Sequence, residues 1–328
     1  MAGGLRVLVV AEGVSPATLH TLLACGARGF LPYPLPEGAL AEALRAPGPA
    51  PVADPPRPAV APAVGDGGDG WRNGVILPVQ GLAGGVGATT FAVTLATELA
   101  RLPGDPAPRV GLLDLDLQSG AVATYLHLPQ HEAVIELLQE AGTLDADILE
   151  QAMLPHGPNL RVLTAPADIL PLDLLRPADV DRLIDFAASI FDYVVIDMPS
   201  TVVQWTETVL GRAHLYFAPM QIDMRSVHNA LRLLRALQAE NLSAEKLGLT
   251  VNRAPGRFDA AGRSRLRKLE ETLGAPVALR LPEGGRAVAE ACDSGLPLGM
   301  AARRNPLRRE IAKLASSLSE LNGFVAKG

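Results

Sequence analysis

Residues 75–90 read Val75-Ile76-Leu77-Pro78-Val79-Gln80-Gly81-Leu82-Ala83-Gly84-Gly85-Val86-Gly87-Ala88-Thr89-Thr90, and an apolar stretch follows to Arg101. An apolar run, a glycine-rich turn and a helix start, in that order, are what a phosphate-binding loop requires. Glycines let the backbone close round phosphate oxygens, and a helix N-terminus offers free N–H groups at the positive end of its dipole. A hydroxyl at Thr89 is placed to reach a magnesium ion. The turn alone is weak evidence, because a purely structural strand-to-helix turn has the same composition.

Working outward, two acidic elements strengthen it. Asp114 and Asp116 end the apolar run Val110-Gly111-Leu112-Leu113-Asp114-Leu115-Asp116, and Asp197 ends Tyr193-Val194-Val195-Ile196-Asp197. Further strands are expected at 160–163, 215–218, 247–251 and 277–281, with helices at 89–101, 132–141, 177–190, 224–239 and 260–273. Near-continuous apolar strands mean a sheet buried on both faces, hence a doubly wound, mostly parallel α/β domain. In such a sheet the carboxyl ends of the strands form the ligand crevice. Carboxylates there, beside a phosphate loop, suit magnesium binding and water positioning.

Upstream, residues 1–46 alternate as β-α-β-α, with strands at 5–10 and 29–33. Residues 47–70 form a linker, because Pro47, Pro49, Pro51, Pro55, Pro56, Pro58 and Pro62 exclude helix and strand. The main domain is expected over 71–328. Of the 328 residues, 48% are hydrophobic and 20% charged, a globular balance.

The net charge of −6 argues against a protein built around a nucleic-acid surface, though not against a local basic patch. Two basic clusters stand out: Arg257, Arg263, Arg265, Arg267 and Lys268, then Arg303, Arg304, Arg308 and Arg309. Glu270, Glu271 and Glu310 follow them, so they read as solvated helix faces. Cys25 and Cys292 have no metal-like spacing, and neither is expected near a strand end of the crevice. The N-terminus has no signal-peptide pattern, and no apolar run reaches the length of a membrane span. The expectation is a cytoplasmic chain with no transmembrane segment. The tail from Leu314 carries Leu318, Leu321 and Val325 but only Lys327 as a nearby cation, which favours packing on the domain over a membrane anchor.

The loop 83–90 resembles the deviant Walker A motif, Lys-Gly-Gly-x-Gly-Lys-Thr-Thr, of ParA/MinD ATPases. The segment with Asp114 and Asp116 is similar to their second acidic motif, and Asp197 to Walker B. Within that class the chain resembles the TadZ/CpaE family of tight-adherence (Flp) pilus assembly proteins. The likeness rests on Leu113–Gly120, Leu163-Thr164-Ala165-Pro166, Trp205, and a tail with Pro282, residues 287–291 and Gly295-Leu296-Pro297-Leu298. The resemblance implies ATP held by Gly84, Gly85, Val86, Gly87, Ala88, Thr89 and Thr90, with Asn252, Arg253 and Pro282 on the base side. It implies Mg2+ near Thr89, Asp114 and Asp197, and Asp116 as the residue orienting the attacking water. It further implies a homodimer that works with the Tad/Flp pilus secretion machinery, at the cell pole or inner membrane, with no sequence-specific nucleic-acid partner. A ParA/MinD-type partitioning or positioning ATPase, with non-specific DNA or membrane binding, is the alternative. Residues 1–46 resemble the last two β-α units of a response-regulator receiver domain, without the strand that carries its phosphoacceptor aspartate. The expectation is a truncated receiver with no phosphorelay control.

The chain departs from the ATPase pattern at both lysines, replaced by Ala83 and Ala88. Codon bias would exchange lysine for arginine, not alanine. Such lysines offset charge on the phosphates in the transition state, and losing one preorganised cation costs about 3 kcal/mol of barrier. Backbone N–H groups and magnesium would survive, so nucleotide binding with weak or absent hydrolysis is expected.

Overall fold

The computed structural model describes residues 7–11, 27–32, 74–129, 145–239, 244–256 and 258–325. The chain divides into two compact units, Met1–Gly68 and Asp69–Gly328. In the first, β1 (Val7–Ala11) and β2 (Ala27–Pro32) pair in parallel, with Val9 opposite Phe30. The linker expected at 47–70 and the helix expected at 132–141 lie outside the described residues.

The second unit is built on eight strands: β3 (Val75–Gln80), β4 (Val110–Asp114), β5 (Leu154–Pro155), β6 (Leu160–Leu163), β7 (Tyr193–Met198), β8 (Tyr216–Met220), β9 (Leu247–Ala254) and β10 (Leu279–Pro282). They lie in the order β10-β9-β8-β3-β7-β4-β6-β5, all parallel except the two-residue edge strand β5. β3 is therefore central, with β7 on one side and β8 on the other. Its ladder to β8 is reduced to Val79 opposite Phe217. Pro78 and Pro219 withhold N–H donors where these strands meet.

Alternation along the strands assigns the faces. Val110 and Leu112 on β4, with Tyr193 and Val195 on β7, pack with helices α1 (Ala88–Leu99) and α10 (Pro306–Val325). Val194 and Ile196 point the other way, into a core shared with α4 (Pro177–Ile190) and α5 (Thr206–Arg212). Side chains repeat every second residue along a strand. Asp114 and Asp197 therefore fall on the α1 face, at the end where the phosphate loop leaves β3. A third core joins β8 and β9 to α6 (Met224–Ala239) and α7 (Ala260–Leu273).

Short helices α2 (Val122–Tyr125), α3 (Ala146–Ala152), α8 (Arg286–Asp293) and α9 (Leu298–Ala301) complete the unit. The tail helix α10 begins at Pro306, earlier than the apolar pattern from Leu314 indicates. Leu307, Ile311, Ala315 and Leu318 are buried against α1, so this side of the helix is spent on the core. Among the described residues, no helix is long and apolar enough to cross a membrane.

An ion pair fastens α10 to α1. Glu98, 4% exposed, accepts from Arg308 Nε at 2.9 Å, from Arg308 Nη2, and from Arg101 at 3.4 Å. Arg308 thus leaves the second basic cluster for a structural role. Removing one partner of a buried pair strands the other charge. Arg308→Ala should lower stability by about 2–4 kcal/mol, below the upper range for buried pairs because Arg101 remains. Denaturant unfolding measures this; a change within about 0.5 kcal/mol, usual for surface substitutions, would refute the role.

Candidate functional site

β3 delivers its last residue, Gln80, into the loop, and α1 starts at Ala88. The N-cap Gly87 has φ 90°, and a Cβ there would lie 2.6 Å from Asn252 Nδ2. Only glycine meets both conditions. Among the described residues, no acceptor meets the N–H groups of Gly84, Gly85, Gly87, Ala88, Thr89 or Thr90. The carbonyls of the same loop are engaged from outside. Asn229 Nδ2 donates to Leu82 O at 2.7 Å, Arg225 Nη2 to Gly84 O at 3.2 Å, Gln221 Nε2 to Gly85 O at 3.4 Å and Asn252 Nδ2 to Val86 O at 2.8 Å. Satisfied carbonyls and unsatisfied N–H groups make an anion-binding concavity. The first turn of α1 carries no acid that would neutralise it.

Beneath the loop lie two carboxylates. Asp114 and Asp197 are register partners on β4 and β7, each 1% exposed. Asp114 accepts from Asp116 N at 3.3 Å and Val122 N at 3.2 Å, which folds the segment after β4 around it. Gly120 permits that wrap, since a Cβ there would sit 2.7 Å from Asp114 Oδ2. Burial pushes Asp114 up to about 7, against the backbone N–H groups of Val122, Asp116 and Ala165, and the Asp116 charge adds to the rise.

Asp197 differs. Neither of its oxygens has a hydrogen-bond partner among the described residues. Burial, then the charge of Asp114, holds it well above the ordinary carboxylate range; the nearby Thr89 hydroxyl opposes this, without a formed bond, and the Asp116 charge adds to it. An orphaned buried carboxylate facing a hydroxyl suits a hard, oxygen-seeking cation. No group of three or more His, Cys, Asp or Glu side chains among the described residues forms a metal cage. A cation here would complete its shell with water and phosphate oxygens, as magnesium does.

A cleft of about 590 Å³ opens above these groups. Of the residues proposed from the sequence, Gly84 to Thr90, Asp116, Asn252 and Arg253 line it. Asp114 and Asp197 are buried and do not line it. Pro282 does not line it; it ends β10, and the next three residues, Glu283, Gly284 and Gly285, form the wall. Asp116 Oδ1 accepts from Ser119 N at 3.0 Å, which holds it at the rim. Trp205 is buried in the core.

The placement of Cys292 corrects the sequence reading. Helix α8 carries it to the cleft wall, with its Sγ 4.0 Å from Thr90 Oγ1. Burial pushes this thiol up, away from a reactive thiolate. Its approach depends on a helix packing from about 200 residues away in sequence, and no local motif signals it. The Glu283-Gly284-Gly285 turn was readable, being a glycine pair directly after a strand.

Residues 75–247 match the family described as AAA domain (AAA_31). The chain belongs to that family, and with it to the ParA/MinD-like superfamily of P-loop ATPases. It is similar to the septum site-determining protein MinD of Synechocystis, 29% identical over 183 residues that span 55% of this chain and 65% of that protein. Its fold is similar to that of a ParA family ATPase from Chlorobium tepidum, with TM-score 0.65 and 23% identity over 75% of this chain and 99% of that one. It is also similar to MinD from Pyrococcus horikoshii, solved with Mg-ADP, with TM-score 0.59 and 18% identity over 76% and 98% of the two chains.

Proposed function

We propose that this chain binds Mg-ATP at residues 83–90 and holds it with little turnover, acting as a nucleotide-dependent scaffold. One observation carries the reading: unsatisfied loop N–H groups stand over an orphaned Asp197, while both lysine positions are alanine. Thr89 and Asp197 hold the magnesium ion, which neutralises phosphate charge when bound. Asp114, spent on backbone N–H groups, serves mainly to place Asp116. Asn252 and Arg253 stand on the base side, and Pro282 positions the wall behind it. The three-part division at 1–46, 47–70 and 71–328 is proposed with it.

The finer reading, a homodimeric localisation scaffold of tight-adherence pilus assembly at the cell pole or inner membrane, rests on the motif resemblance. The second reading, a positioning or partitioning ATPase, is favoured by the likeness to MinD and ParA proteins. Exposed Arg263, Arg265, Arg267 and Lys268 on α7 are the surface it would use on DNA. Analytical ultracentrifugation with and without Mg-ATP, repeated with duplex DNA, separates the two. The scaffold reading expects a nucleotide-linked dimer that leaves DNA free at physiological salt. Retention that falls steeply with salt, as phosphate contacts dictate, would favour partitioning.

A further inference from the structure

We propose that Arg225 supplies positive charge for holding the bound polyphosphate, without taking over the transition-state role of the missing lysines; this rests on the reading that the loop holds a nucleotide polyphosphate. The loop has no cation of its own. The only basic side chain lining the cleft among the described residues is Arg253, against the acids Asp116, Glu283 and Asp293. A nucleoside triphosphate remains an anion even with magnesium bound, so a second cation is needed to favour it over shorter phosphates.

Arg225 meets the requirement in three respects. Its Nη2 donates to Gly84 O at 3.2 Å, which puts the guanidinium against the outer limb of the loop. Among the described residues it has no carboxylate partner. Asp223, the acid nearest in sequence, is occupied at the start of α6 by Ser226 N at 2.8 Å and Ser226 Oγ at 3.2 Å. The charge is therefore uncompensated and four of its five N–H donors are unspent. At Gly84 no atom lies within 4 Å of where a Cβ would be, which leaves room for the guanidinium to pass from the carbonyl to a phosphate.

The backbone bearing Arg225 is fixed to the loop. Leu82 N donates to Pro219 O at 2.8 Å, and Gln221 and Asn229 bracket Arg225 with their own bonds to Gly85 O and Leu82 O. An ordered base and a planar fork suit phosphate recognition. The sequence separation between Arg225 and the loop hides this arginine from any motif at residues 83–90.

The test is calorimetry on the full chain with magnesium and, in turn, a non-hydrolysable ATP analogue, ADP and adenosine. Arg225→Gln keeps a donor for Gly84 O but removes the charge; Arg225→Lys keeps the charge. Arg225→Gln should weaken binding of the triphosphate analogue roughly tenfold or more, as for a lost charge-assisted bond, and leave adenosine unchanged. Arg225→Lys should retain most of the affinity. Arg225→Ser, also uncharged at this exposed helix start, repeats the comparison should the glutamine variant not fold. Wild-type triphosphate affinity in an uncharged variant, or an equal loss for adenosine, would overturn the proposal. Wild-type protein that binds none of the three would instead refute the nucleotide reading, and the proposal with it.

Discussion

Asp197→Asn should raise the melting temperature of the metal-free protein at mildly alkaline pH, and should abolish the stabilisation that magnesium and ATP together give the wild type. The carboxylate lies 1% exposed with no hydrogen-bond partner, beside a second buried carboxylate. Ionising it there costs desolvation and repulsion from Asp114 and, more weakly, Asp116. An asparagine removes the charge, and its amide can donate to the adjacent Asp114. The relief should be about 1–3 kcal/mol, and each kcal/mol moves the midpoint of a domain this size by about 2–4 °C. The pH dependence has a definite sign. Asp114 is raised from 3.8 to about 7, and Asp197 is also raised, so the folded state holds protons that the unfolded state has released. The contribution of this pair to metal-free stability is then full below about pH 4 and falls as pH rises towards 7. The asparagine variant should show a shallower fall. Thermal melts across pH, with and without magnesium and ATP, decide it. A variant less stable than wild type at alkaline pH, or one that keeps the magnesium response, would count against this role for Asp197.

Much of this arrangement was legible because it is local or lies at strand ends. The loop composition marks the glycine-rich turn between β3 and α1, and the apolar runs that carry Asp114, Asp116 and Asp197 put these acids at strand ends. Helices at Pro177–Ile190, Met224–Ala239 and Ala260–Leu273 follow the sequence reading, since their apolar spacing is undisturbed. What escaped depends on contacts between distant segments. The different surroundings of Asp114 and Asp197 arise because a glycine-containing turn folds over Asp114. Cys292, Arg225 and Arg308 acquire their neighbours through helix packing, which no local pattern encodes. The short helices α2, α8 and α9 span one or two turns, too few for a hydrophobic period to emerge.

The second large effect concerns Ala88. It opens α1, is half-buried and lines the cleft beside Thr89. A lysine there would project from the first turn of the helix toward the anion held by the loop. Ala88→Lys should raise phosphate release about a hundredfold, the usual worth of one preorganised cation in a transition state. Ala83 is a poorer site for the same repair. It lines the cleft but is only 7% exposed, so a lysine there has less room than at Ala88. The double variant should therefore gain little over Ala88→Lys alone. Single-turnover phosphate release is the readout, and a rate unchanged by Ala88→Lys would show that the missing charge does not limit hydrolysis.

The chain is expected to hold Mg-ATP without turning it over briskly. This is tested by measuring ATP affinity and phosphate release on one preparation of the full chain. The predicted result is magnesium-dependent ATP binding with release about a hundredfold slower than in Ala88→Lys. Failure to bind ATP would contradict it. So would brisk wild-type release that Asp116→Ala abolishes, since an arginine would then have taken over the work of the lysines.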